Sequence, residues 1–287
     1  MTTQQHAPAQ LGGSNADLFD HFYAKEMEME RAKRARRRII YAIGRALILG
    51  AFIFSWWLTA KFYPPLLVAS PAETWDGFMD GRDEIWKHAP TTLVEIVLGF
   101  AVGSVLGIGL GALVAQSRLA EVVLRPYIIV TQAVPKIALA PILIIFLGFG
   151  VGPKVAIAAL ICFFPLLENT ITGLRRVDPD SYRLFESLGA SKMQIFLKLR
   201  LYSALPLIFG GLRIAAVLAT LGAIVAEFVA GNAGLGALLV ISLGTFQTKL
   251  MYAVMVVLTL MAYTVYIITQ WVEHKALERT NMLVTHE

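Results

Sequence analysis

The sequence predicts an all-α, polytopic membrane protein with six transmembrane helices, and three observations carry that prediction. Hydrophobic residues make up 57% of the 287 residues and charged residues only 16%, against about a quarter in soluble domains. The charges are clustered, which leaves long apolar runs nearly bare. Six of these runs, roughly 39–60, 93–115, 127–149, 155–174, 206–229 and 251–272, approach or exceed the ~20 residues that a membrane-crossing helix needs. The same composition excludes other classes. The single cysteine, Cys162, lies in an apolar run and offers neither a disulfide nor a thiolate metal cluster. The net charge of +5 reads in such a chain as a record of topology rather than of nucleic-acid binding. A polar stretch precedes the first apolar run, so the N-terminus does not read as a cleavable signal.

Six crossings place both termini on one side, and lysine and arginine decide which side that is. The run RAKRARRR, Arg31 to Arg38, abuts the first apolar segment. With that end cytoplasmic, the external segments hold only Lys61, Arg82, Lys87, Lys154 and Lys249. The segment between the fourth and fifth spans alone holds Arg175, Arg176, Arg183, Lys192, Lys198 and Arg200. The expected organisation is a basic cytoplasmic tail over 1–38, a membrane domain over 39–272 with a cytoplasmic loop at about 175–205, and a cytoplasmic tail over 273–287. Residues up to about 30 read as partly disordered or as a surface helix.

Along the chain, Pro64, Pro65 and Pro71 interrupt the segment after the first span, and AETWDGFMDGRDEIW beyond them is amphipathic. It suits either a membrane surface or a cap on the bundle. His88 within this region reads as a surface residue. In the second span Gly99, Gly103, Gly107 and Gly111 recur every four residues, which puts them on nearly one helical face and lets another helix approach closely. The third span contains QAVPKIALAP, in which Pro135 and Pro141 each remove a backbone donor. Gln132 and Lys136 are one turn apart there. A charge at that depth faces protein or water, so Gln132 and Lys136, with Glu227 in the fifth span, are candidates for lining a translocation path. The structural alternative is a packed kink with the charges paired or snorkelling. Arg213 favours that structural role, and Glu168 and Asn169 read as ordinary residues of a cytoplasmic helix end. The glycine-rich 231–246 predicts a short re-entrant or interfacial helix.

The loop SYRLFESLGASKMQIFLKLRLYSALP, 181–206, is more ordered than a simple return needs. Asp178 suits an N-cap, Pro179 the first helical position and Asp180 the positive end of the dipole. Tyr182, Phe185 and Leu188 fall at spacings of three. Gly189 ends this helix, Ser191 to Gln194 opens another as a capping box, and Pro206 marks the start of the fifth span. The reading is helix–Gly–helix with an apolar face whose cover is the bilayer surface, the protein's own spans or a second protein. Periodicity leaves the three open. Walker A, H-E-x-x-H, G-x-S-x-G and C-x-x-C motifs do not occur, so no enzyme is expected.

SLGASKMQIF and LYSALPLIFGGLRIA resemble the cytoplasmic loop of the permease subunits of ABC importers, and PKIALAPILIIFLGFG and AEFVAGNAGLGALL resemble the permeases of the nitrate/sulfonate/taurine type. The similarity covers about 90–250. It departs at the loop's name-giving Glu-Ala-Ala, whose place is taken by Arg183-Leu184-Phe185. The resemblance implies a type I importer-like fold in a prokaryotic inner membrane. It implies a coupling helix in which Tyr182, Arg183, Phe185, Glu186, Leu188, Gly189, Ala190 and Ser191 contact a cytoplasmic ABC ATPase. That ATPase, not this chain, binds ATP and Mg. It further implies a second permease copy, most simply a homodimer, and an extracytoplasmic substrate-binding protein. The solutes of such permeases run from nitrate, taurine and alkanesulfonates to aromatic acids and vitamin precursors, and the third-span wording leans towards ring-containing organics. A secondary transporter or a membrane assembly protein are the competing functions.

Overall fold

A computed structural model describes residues 13–231 and 233–279, and these are helical throughout apart from short connections. They fall into two compact units, Met1–Tyr63 and Pro64–Glu287. In the first, α1 (Gly13–Phe62) is one continuous helix in which the basic run leads directly into the apolar segment. Residue 38, the expected end of the tail, lies inside it. Residues 1–12 and 280–287, parts of both expected tails, lie outside the described residues.

Among the described residues five helices are long and apolar enough to cross a membrane: Ile39–Phe62, Arg82–Gln116, Val151–Arg175, Lys192–Val229 and Thr248–Glu278. The sixth candidate is a pair, Arg118–Ala133 and Lys136–Leu147, which reaches the length of a span only when taken together and is bent by 81° at the break. The third span is therefore two helices. Val134, which precedes proline, is extended (φ −65°, ψ 127°) and ends α4 (Arg118–Ala133), because the Pro135 ring disfavours helical backbone before it. A 3-10 turn, Lys136–Leu139, leads into α5 (Ala140–Leu147). Pro141 occupies the first turn of α5, where an amide hydrogen has no intrahelical partner to lose.

The second unit begins with α2 (Pro71–Asp80), started by a capping box in which the Ser70 side chain accepts from the Glu73 N–H and the Glu73 carboxylate accepts from the Ser70 N–H at 2.8 Å. Next, α3 (Arg82–Gln116) starts well before the apolar run and continues through Pro90. The centre is a row of three helices, α3, α6 (Val151–Arg175) and α9 (Leu201–Ala230), with α6 packed broadly on both neighbours. Small residues make this possible. Each glycine of the α3 stripe meets α6: Gly99 faces Ala158, Gly103 faces Ala159 and Cys162, Gly107 faces Leu166, and Gly111 faces Thr170. On α9, Ala215, Ala219 and Ala223 repeat every four residues and are fully buried. Lipid is as apolar as leucine, so backbone proximity and dispersion drive such contacts rather than water exclusion.

The chain leaves α9 through Gly231, left-handed at φ 65°, and turns back at Gly234 into α10 (Leu235–Gly244). That short helix packs inward against α9, α3 and α11 (Thr248–Arg279). At the opposite end of the row lies α7 (Pro179–Ser187). After it, α8 (Lys192–Ile195) runs through a π turn, Phe196–Arg200, into α9 without a stop. Pro206 therefore sits inside a helix, and the loop proper is only 176–191.

Candidate functional site

At the α7 end, the local sequence builds what its residues predict. The Asp178 carboxylate accepts from the Ser181 N–H at 3.0 Å and from its hydroxyl at 2.8 Å, and these bonds, the hydroxyl's foremost, hold it below its ordinary range. Pro179 opens the helix. Gly189 is left-handed at φ 71° with open space where a Cβ would stand. The Ser191 hydroxyl and the Gln194 side chain then cap the next helix reciprocally. Glu186 and Ser191 are exposed and Ala190 is half-buried.

The apolar residues of α7 divide differently from a stripe of three. Tyr182 and Phe185 are half-buried, and the Tyr182 ring lies 5.3 Å from the Arg200 guanidinium. Leu188 is 75% exposed, and so is Leu184 at 57%. The exposed pair is thus Leu184 and Leu188, one turn apart on the helix surface. No helix of the second unit packs broadly on α7.

The break in the third span brings its two polar residues to α6 by a route the sequence did not suggest. Gln132 and Lys136 do not share a helical face, because α4 ends between them. Instead Gln132 donates to Glu168 at 2.7 Å and the Lys136 ammonium lies 4.9 Å from the Phe164 ring centre. Phe164 and Glu168 are themselves one turn apart on α6. Gln132 is exposed and Lys136 half-buried, and Lys136 has no carboxylate within ion-pair distance among the described residues. Asn169 turns back to its own helix, donating to the Pro165 carbonyl at 2.8 Å. Arg213 pairs with Glu273 at 3.1 Å.

Glu227 belongs elsewhere. It is 0% exposed and sits at the α10 end in a polar cluster that joins α3, α6 and α9. Thr92 donates to Glu227 Oε1 at 2.6 Å, and the Gly236 N–H donates to Oε2 at 2.5 Å. Thr92 in turn accepts from the Leu235 N–H at 2.7 Å. Beside it Lys154, expected in an external segment, is 3% exposed and donates to Glu95 at 2.9 Å and to the Ala233 carbonyl at 2.7 Å. His88 is also not a surface residue: its Nδ1 accepts from the Gly234 N–H at 3.0 Å. Gly234 and Gly236 lie so close to the Glu227 carboxylate that a Cβ on either would overlap it. These partners hold the Glu227 carboxylate against the turn that leads into α10. Among the described residues no group of three or more acidic, histidine or cysteine side chains suits a metal ion.

The chain has counterparts among known proteins. Residues 89–279 match the family described as binding-protein-dependent transport system inner membrane component. The chain is 34% identical to the riboflavin transport system permease protein of Chloroflexus aurantiacus over 238 residues, covering 81% of this chain and 88% of that one. It is 35% identical to the formylaminopyrimidine transport permease protein of Halalkalibacterium halodurans over 202 residues, covering 70% and 81%. In structure it is similar to a chain from the crystal structure of an amino acid ABC transporter with histidines, with a TM-score of 0.57, 20% identity, and coverage of 69% of this chain and 96% of that one. At that identity the likeness concerns the fold.

Proposed function

The chain belongs to the family of binding-protein-dependent transport system inner membrane components, and from that membership we propose that it moves a small solute inward by alternating access, driven by a separate cytoplasmic ATPase. The observation that carries the proposal is α7: a capped helix outside the row of spans, with Leu184 and Leu188 exposed and nothing in its own unit packed broadly on it. A coupling helix has to keep such a face free for its partner. In this reading Tyr182, Arg183, Phe185, Glu186, Leu188, Gly189, Ala190 and Ser191 form the contact region, and the exposure of Leu184 supports including it.

The rest follows the same division of labour. The α7 end and both termini are cytoplasmic, with a tail over 1–38, a membrane domain over 39–272 and a tail over 273–287. ATP and Mg bind to the ATPase. Two copies of the chain form the pathway, and a binding protein delivers solute at the α10 end. Gln132 and Lys136, at the break in the third span, and Glu227, near the α10 end, line the path. The solute is a ring-containing organic, a proposal supported by the names of the two relatives, which specify riboflavin and formylaminopyrimidine.

Reconstitution tests this. The chain with its cognate ATPase and binding protein should take up solute into proteoliposomes only with ATP. Uptake by the chain alone returns the function to a secondary transporter, and transport of nitrate or taurine in place of riboflavin removes the ring-containing class. Labelling of Ser191→Cys from outside, or of Ser70→Cys only from inside, inverts the topology.

A further inference from the structure

Beside α7 lies a cleft of about 390 Å³, lined among others by Arg175, Pro179, Tyr182, Arg183, Glu186 and Arg200. Pro179, Tyr182, Arg183 and Glu186 stand at i, i+3, i+4 and i+7, so one face of α7 looks into the cleft while Leu184 and Leu188 lie on another. Three guanidinium groups border the cleft against one carboxylate. Their own partners leave them under-used. Arg175 holds Glu121 through Nε at 3.1 Å, yet its solvent-shielded Nη2 has no acceptor among the described residues. Arg200 lies over the Tyr182 ring at 5.3 Å and has no acidic partner within ion-pair distance among the described residues. Arg183 reaches Asp180 at 3.6 Å with both side chains largely exposed, an arrangement that contributes little.

We propose that this cleft is a carboxylate socket, which receives an aspartate or glutamate side chain of the cytoplasmic ATPase when α7 docks. The inference rests on the coupling reading of α7 and adds its chemistry: Leu184 and Leu188 supply apolar contact, and the arginines fix the orientation. Guanidinium forks match carboxylate geometry and hold it with direction as well as charge. A single entering carboxylate also suits the surroundings better than a lipid surface does. Asp178, Asp180 and Glu186 at the same short helix repel an extended anionic plane, whereas one side chain entering the cleft meets three guanidinium groups against the single lining carboxylate of Glu186.

The test measures affinity of the purified cognate ATPase for the full-length permease in phosphatidylcholine nanodiscs. Arg183→Glu and Arg200→Glu should each weaken binding by about tenfold or more, and should flatten its dependence on salt. Arg183→Lys should retain part of the affinity. Leu188→Asp should also lose binding, through the apolar contact. Normal affinity in both arginine variants with loss in Leu188→Asp overturns the socket and leaves the coupling helix standing. Normal affinity in all three overturns both. A loss that appears only in nanodiscs containing phosphatidylglycerol assigns the cleft to a lipid headgroup and overturns the proposal as well. Arg183 is mostly exposed, so its variant folds and decides the matter even if Arg200→Glu does not elute as an intact species.

Discussion

The two ends of the three-helix row use polar residues in opposite ways. At the α10 end, Thr92, Glu95, Lys154 and Glu227 are buried, and their hydrogen bonds cross from one helix to another. At the α7 end the charges are more numerous and mostly exposed, and the hydrogen bonds that organise the turn are local, within three residues. The first arrangement locks elements of the chain to each other. The second shapes a segment in advance and leaves its faces open. A protein that passes motion from a partner to its spans needs both: one end where the helices hold together, and one where a preformed helix can be gripped.

Lys154→Met gives the largest effect. It leaves Glu95 buried without its cation, a loss of about 3–5 kcal/mol for a broken buried pair. Folded, monodisperse protein should fall sharply. Because the penalty is the stranded charge, Glu95→Gln together with Lys154→Met should recover much of the yield. A double variant no better than the single one would mean that Lys154 acts through the Ala233 carbonyl and the turn, not through Glu95.

The contrast also explains what was legible in the sequence. The α7 end is written in neighbours: Asp178 before Pro179, Gly189, and Ser191 three residues before Gln194 are local signals, and the structure forms each of these caps. The glycine stripe of α3 is equally local, being a period within one helix. The α10 cluster is not. Lys154 finds Glu95 across 59 positions and Thr92 finds Glu227 across 135, and no spacing rule spans such distances. Lys154 follows Pro153 and the glycines at 150 and 152, a context that resembles a loop until α6 and α3 are packed together. Pro135 announced a break in the third span, but only the fold could show that Gln132 and Lys136 separate and rejoin on α6.

Glycine substitutions put the comparison in one experiment. At Gly234 (φ 107°) an added Cβ overlaps the Glu227 carboxylate, while at Gly189 (φ 71°) it meets open space. Gly234→Ala should therefore disrupt the cluster and reduce folded protein. Gly189→Val pays only the left-handed backbone strain, about 1–2 kcal/mol, and should leave the spans inserted while weakening ATPase docking or uncoupling hydrolysis from uptake. Equal loss of folded protein in both variants would remove the distinction between the ends.

Lys136→Met tests the region between them. Lys136 has a ring contact rather than an ion pair, so the variant should assemble with the ATPase in normal yield and transport poorly in proteoliposomes. A fall in assembled complex would instead make Lys136 a packing residue of the broken crossing.

The smallest expected effect comes from the helix caps, one at each end. Ser70→Ala removes an N-cap from α2, worth about 1 kcal/mol, yet α2 also packs against α11, so the spans should hold it in place. Asp178→Ala removes the N-cap of α7, which has no such support. Hydrogen–deuterium exchange should therefore rise at residues 181–184 in Asp178→Ala and much less at 73–76 in Ser70→Ala. Acid should reproduce the difference. Bonds from Ser181 hold Asp178 below its ordinary range, and bonds from Ser70, the backbone N–H foremost, do the same for Glu73. A carboxylate whose folded pKa is lowered stabilises above its unfolded value, and loses that contribution as pH falls through the folded one. Over that acidic window α7 should fray while α2 stays protected. Protection of 181–184 that survives acid would show that α7 is held by contacts other than its cap, and the α7 end would then be less open than its exposed leucines imply.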